Sequence, residues 1–271
     1  MSASPPRDWS TILADAVAKP GVIAQAYREF WNYSVGNQLL AFFQCLERDL
    51  PLGPIHTFIG WMELGRFVKK GEKALSLCMP VTCKTGDKSG EEKNDQAETG
   101  TFTRFIFRRN WFVLSQTDGA EYVPVALPEW HEEQALSGLN VSRTEFRHLD
   151  GNAQGYATGR SVAISPVAFM PHRTLFHELA HVVLGHTAEG RLDDGEKTPV
   201  NLREVEAESV ALICCEALGL DGAVFSRGYI QHWLRAEKEI PARSAQKILR
   251  VADQILKAGK PNPAPGKEVS A

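Results

Sequence analysis

The sequence predicts an α+β protein of two domains, a small mixed domain followed by one built around long helices. Three observations carry this. Helix-period segments open the chain, strand-like runs fill the middle of its first half, and past residue 127 a short strand pair gives way to long helices. With 271 residues, 43% hydrophobic and 23% charged, the chain has a globular composition and length enough for two modest cores.

In order along the chain, "DWSTILADAVAK" and "VGNQLLAFFQCLERDL" predict helices, the second ended by Pro51 and Gly53. "ALSLCMPVTCK" and "TFTRFIFRRNWFVL" predict two paired strands. Between them "TGDKSGEEKNDQAETG" is too polar to bury and is expected to be a long solvated loop. "VPVALPEW" marks the boundary, which gives domains 1–127 and 128–258. The second domain opens with strand-like "GYATGRSVAISP", which runs into a helix carrying "TLFHELAHVVLGH". Two further helices are expected: "NLREVEAESVALICCEALG", from an N-cap at Asn201 to a stop at Gly219, and "ARSAQKILRVADQILKAG", ending at Gly259. Residues 259–271, Pro-rich and polar, are expected to form a disordered tail.

A net charge of -3 excludes nucleic-acid binding by bulk basicity, so charge must be read by segment. The five cysteines include no C-x-x-C pair, and Cys214 and Cys215 are adjacent on a helix expected to be buried. They are read as reduced core thiols of a cytoplasmic protein. "MSASPPRDWS" has no apolar core of a signal peptide, and no stretch has the length of a membrane span, so neither secretion nor membrane insertion is expected.

The strongest chemical signal is His177-Glu178-Leu179-Ala180-His181. Residues four apart on a helix lie one turn above each other, so both imidazoles can address one ion while Glu178 stands beside it. Two neutral imidazoles suit Zn2+ first, with Mn2+ or Co2+ as alternatives, and a neighbouring carboxylate can take a proton from a water that the ion activates. Leu175, Phe176, Leu179, Val182 and Val183 fall on the side away from the histidine edge, which leaves that edge free for ligation.

A catalytic zinc needs a third protein ligand. The extended pattern with a later Gly and His fails, because those offsets hold Leu184 and Thr187. On a wheel of the next helix, Glu206, Ser209 and Glu216 share a polar side, whereas Glu204 and Glu208 fall among Ala207, Ala211, Cys215 and Leu218. Carboxylates on an apolar face cost several kcal/mol each unless something compensates them, and a metal does so. Glu204 is therefore expected as third ligand, and Glu208, one turn on, as the acceptor that orients a histidine N–H. His186, just past Gly185, is the alternative ligand. Tyr156, Tyr229 and His232 could stabilise an oxyanion, but a buried Tyr or His making one ordinary hydrogen bond is the commoner case, and no catalytic role is assigned to them.

"HELAH" followed by "EVEAE" resembles the gluzincin-like metallopeptidase pattern, H-E-x-x-H with a later E-x-x-A-(E/N/D). That resemblance implies His177, His181 and Glu204 as metal ligands and Glu178 as general base.

In the first half, "GRFVKKGEKA" gathers Arg66, Lys69, Lys70 and Lys73, and "TRFIFRRNW" adds Arg104 and Arg108. On an extended strand Phe105, Phe107, Trp111 and Val113 share one face, and Arg104 and Arg108 share the other with Phe102 and Phe112. Cations interleaved with rings suit single-stranded DNA, which offers phosphates and unstacked bases. "YSVGNQLLAFFQ", "TFIGWMELGRFVKKGEKA" and "VLSQTDG" together resemble the N-terminal domain of the ArdC family of antirestriction proteins. The resemblance covers roughly residues 8–235 and implies a single-stranded-DNA-binding domain preceding a zincin-like (HExxH) metallopeptidase domain that acts on an unknown protein substrate. Two other readings stay open: a regulatory metalloprotease that cleaves a repressor, and a non-catalytic protein that coats DNA and keeps zinc as a brace.

Overall fold

The computed structural model describes residues 7–84, 101–147, 153–187, 199–237 and 239–261. The expected polar loop falls on residues outside these, as does the expected tail beyond residue 261. The described chain is a mixed α+β fold of two compact units, one of them Phe43–Tyr122 and the other combining Arg7–Phe42 with the chain from Val123 onward.

This division differs from a single cut near residue 127, and the reason is packing. Helices α1 (Trp9–Ala18) and α2 (Val22–Phe30) each bury an apolar stripe, Ile12, Leu13, Ala16 and Val17 on the first, Ile23, Ala26, Tyr27 and Phe30 on the second. They fold with the long helices α7 (Val200–Leu218), α8 (Ala223–Glu237) and α9 (Ala242–Ala258). Polar anchors fix the docking: Glu216 Oε1 accepts from the N–H of Gly21 at 2.8 Å and of Ile23 at 3.2 Å, serving as a borrowed cap for α2. Arg227 pairs with the same carboxylate and donates to the carbonyls of Ala16 and Val17. Neither α2 nor α8 was read from the sequence. Helix α3 (Val35–Glu47) begins in one unit and ends in the other.

The first unit holds β1 (Ile55–Thr57), α4 (Phe58–Glu63), β2 (Arg66–Val68), β3 (Leu75–Lys84), β4 (Thr101–Val113) and β5 (Thr117–Gly119). The two long strands pair antiparallel, as expected, in a sheet of order β1-β4-β3, and β2 pairs with β5. Leu75 faces Trp111 while Ser76 faces Arg109, so Asn110 is an extra residue in the ladder. The bulge changes the faces. Paired residues project to the same side, so Trp111 leaves the Phe105 and Phe107 side and joins Leu75 and Leu77 in the core, all 2% exposed or less. Phe105, left behind, is 67% exposed.

The second unit adds α5 (Glu132–Gly138), β6 (Ser142–Arg143), β7 (Gly155–Thr158), β8 (Ser161–Ile164) and α6 (Pro171–Val183). Its sheet has order β6-β8-β7, with β7 and β8 forming the hairpin read from "GYATGRSVAISP". Helix α6 packs on β7, on β8 and on α7. At the centre α7 is buried all round from Val205 to Ala217. Glu206, Ser209 and Glu216, expected on a polar side, are 2%, 0% and 8% exposed. A wheel shows only which residues share a side, and here helices cover every side. The helix starts one residue before Asn201, whose side chain accepts from the N–H of Leu202, and stops at Gly219, in the left-handed conformation at φ 66. Cys45, Cys214 and Cys215 are core residues, but Cys78 and Cys83 on β3 are half-buried. Among the described residues no helix is long and apolar enough to cross a membrane.

Candidate metal centre

Pro171 opens α6 at a position where a missing N–H leaves nothing unsatisfied, and Leu175, Phe176 and Leu179 anchor its inner face at 1% exposure or less. His177 and His181 then stand one turn apart on the other edge, with their Nε2 atoms 3.1 Å from each other. From α7, Glu204 places Oε2 3.4 Å from His177 Nε2 and Oε1 3.6 Å from His181 Nε2. These three residues form a group with metal-ligand chemistry among the described residues, their ligand atoms lying within 4.8 Å of one another. A tetrahedral ion with bonds of about 2.0–2.1 Å separates its ligand atoms by about 3.3 Å. The donor set, two imidazoles and a carboxylate, and nearest-atom spacings of 3.1, 3.4 and 3.6 Å suit a divalent ion.

Behind this ring lies a layer that explains how the carboxylates are tolerated. Glu208, 2% exposed, receives two bonds from Arg173, Nε to Oε1 at 2.9 Å and Nη2 to Oε2 at 2.6 Å. His177 Nδ1 lies 3.0 Å from the same Oε2, a contact that meets the distance but not the angle of a hydrogen bond. Arg173 was not anticipated. It sits one turn before His177 on α6, and asking which cation neutralises two carboxylates facing an apolar wall would have pointed to it. His186 is not in the ring: its Nδ1 meets His181 Nδ1 at 3.0 Å, behind the ligand edge, and its Nε2 meets Glu206 Oε2 at 3.0 Å.

The electrostatics favour positive charge at the ring. Burial opposes protonation of His177, yet Glu204 and Glu208 outweigh it and carry its pKa up to about 9. The neighbouring His177 and His181 hold Glu204 well below the usual carboxylate range. Burial first, and then the charge of Glu204, push Glu178 up against the pull of the two histidines and Arg173. Burial also pushes Glu208 up, but His177, Ser226 and Arg173 together bring it below its ordinary value. Desolvation lowers His186, which favours its neutral form.

The ring opens into a cavity of about 520 Å3 bordered by β7 and by His177, Glu178, Arg203 and Glu204. Gly155 at the start of β7 makes the close approach to α6: a Cβ there would fall 2.6 Å from Thr174 Cγ2 and 3.2 Å from Glu178 Cγ. Tyr156 lines the cavity, and Tyr229 is raised first by burial and then by Glu204 and Glu208. His232 is exposed.

The basic residues of the first unit divide into two groups. Arg66 uses its guanidinium inside the fold, donating to Thr117 Oγ1 at 2.8 Å, to Thr117 O at 3.2 Å and to Ala120 O, with Trp61 beneath it at 6.0 Å. Lys69 is exposed but donates to Ser115 O at 3.0 Å. Lys70, Lys73, Arg104 and Arg108 are exposed. The side chain of Phe102 lies outside the described residues.

Residues 7–110 match the family model for the N-terminal domain of anti-restriction factor ArdC. Among curated proteins none matches the sequence. Two solved structures of the antirestriction protein ArdC from plasmid R388 are similar in fold. The metal-free one is 21% identical over 93% of this chain and 94% of that one, at a TM-score of 0.50. The Mn(II)-bound one is 17% identical over 96% of this chain and 99% of that one, at a TM-score of 0.51. Residues 7–110 thus match the N-terminal domain of anti-restriction factor ArdC, and the chain is similar in fold to R388 ArdC along nearly all its length.

Proposed function

We infer that this chain is an antirestriction protein of a mobile element in which the second unit is a zincin-like, metal-dependent peptidase and the first binds single-stranded DNA. The observation that carries the peptidase reading is the convergence of His177, His181 and Glu204 from two helices, with Glu178 beside them on the wall of an open cavity. The Mn(II)-bound form of R388 ArdC supports a divalent ion, and the donor set suits Zn2+ as well, with Co2+ a further alternative.

When bound, the ion supplies Lewis acidity, polarising a scissile carbonyl and making water easier to deprotonate. The protein's own groups do the rest. Glu178, raised by burial, accepts a proton at its carboxylate and returns it to the departing amine nitrogen. Glu208, charge-balanced by Arg173, holds His177 in orientation. Cavities of this size accommodate a drug-sized segment of ligand, which suits a few residues of polypeptide. The Glu204 side chain is 40% exposed at the cavity, which supports a catalytic site with an open position over a closed structural brace.

The test pairs Glu178→Gln with Glu204→Ala, measuring metal content and cleavage of a protein or peptide-library substrate. The reading expects the first variant to keep metal and lose cleavage, and the second to lose both. Protection from restriction that survives Glu178→Gln, with the wild type cleaving nothing, would replace it by the DNA-coating alternative. For the first unit, anisotropy with a fluorescent oligonucleotide should give binding that weakens steeply with salt. No binding at low salt favours the repressor-cleaving alternative, in which that unit recruits protein.

A further inference from the structure

The end of α6 shows how a glycine can build a site. Gly185, at φ +80, lets its own N–H reach Val182 O at 3.2 Å and the N–H of His186 reach His181 O at 2.9 Å. This pair of bonds reverses the chain at a left-handed residue and returns residue 186 to the side chain of residue 181, where helix ends of this type commonly make an apolar contact. Here the contact is between two imidazoles, Nδ1 to Nδ1 at 3.0 Å. Beyond it His186 Nε2 lies 3.0 Å from Glu206 Oε2, with side chains 4% and 2% exposed.

The donor and acceptor roles follow from elementary chemistry. An ionised carboxylate only accepts, so the proton on this contact belongs to His186 Nε2. A neutral imidazole carries one N–H, so His186 Nδ1 accepts and His181 Nδ1 donates. The lone pair of His181 is thereby fixed on Nε2, the atom that faces His177 and Glu204.

We propose that Glu206 and His186 form a positioning relay that locks the tautomer and ring orientation of His181 for metal binding. The two helical histidines then have different supports: His177 meets its carboxylate directly, and His181 reaches Glu206 through an interposed imidazole. The proposal rests on the metal-ligand role of His181 in the reading above, but not on any hydrolysis.

The direct test is NMR on the Zn2+-loaded, 15N-labelled full chain, looking for coupling across the hydrogen bond between Nδ1 of His181 and Nδ1 of His186. Detection is expected; its absence overturns the relay. The second test measures Zn2+ affinity by chelator competition. The double variant His186→Ala/Glu206→Ala, which leaves no lone buried carboxylate, should bind about 10–100-fold more weakly. His186→Asn, which keeps an acceptor near the Nδ1 position, should recover part of the loss; His186→Gln, which moves the amide out to the Nε2 position, should not. Unchanged affinity in the double variant with binding lost in Glu204→Ala sinks the relay and leaves the metal site standing. Wild-type affinity in both Glu204→Ala and His181→Ala sinks the metal site itself. If the double variant fails to fold, the coupling measurement and the Asn and Gln pair decide.

Discussion

In the second unit several charged groups at and behind the cavity are buried or half-buried and meet specific partners, Arg173 with Glu208, His177 and His181 with Glu204, His186 with Glu206. In the first unit Lys70, Lys73, Arg104 and Arg108 stand in solvent along a turn and a strand. The contrast bears on how function can be read. A buried charge must be compensated, so its partners are constrained in identity and geometry. An exposed charge is tolerated almost anywhere, so its position carries little information about what it meets.

Four changes would break or sharpen this contrast. The largest effect is expected for Glu204→Ala, which removes one of three ligands from a ring already spaced for an ion; divalent-metal affinity by calorimetry should fall by at least about 100-fold. Wild-type affinity would mean that the ring is an incidental cluster. Next comes Arg173→Ala, which strands the Glu208 carboxylate at 2% exposure and should lower unfolding free energy in urea by about 3 kcal/mol. Adding Glu208→Gln in the same chain should restore part of that loss, because the stranded charge is gone; a strictly additive double variant would deny the coupling.

Gly155→Ala should cost about 1–3 kcal/mol, since its Cβ would intrude on Thr174 and Glu178. It should also reduce any cleavage activity more than metal affinity, because the crowded carboxylate is Glu178 and not a ligand. Smallest in stability, Arg104→Ala with Arg108→Ala should leave unfolding within about 0.5 kcal/mol of wild type. If both arginines touch phosphates, the same pair should flatten the logarithmic salt dependence of single-stranded DNA binding by about 1.4. An unchanged slope would assign DNA contact to other residues of that unit.

Local order was legible in advance wherever one element decided it. The β3 and β4 pairing, the hairpin of β7 and β8, and helices α6, α7 and α9 follow from periodicity and from stops such as Gly219. What failed were inferences about sides. A single extra residue, Asn110, moved Trp111 to the opposite face of its strand. The apparent polar side of α7 proved to be buried, because Arg227 from α8 and His186 from the turn after α6 pair with Glu216 and Glu206. Helix α2 was missed because it is short, starts without a side-chain cap of its own, and receives one from Glu216 across the fold.

The sequence by itself determined the edge of α6 on which His177, Glu178 and His181 stand, because the rise and turn of a helix are set by its own backbone bonds. It also determined that a glycine four places later would turn the chain back on His181. The tertiary structure alone decided which carboxylates of α7 approach that edge and which cation balances them. Helices far apart in sequence choose their mutual rotation by burying the most apolar surface, and the polar groups take whatever partners that rotation delivers.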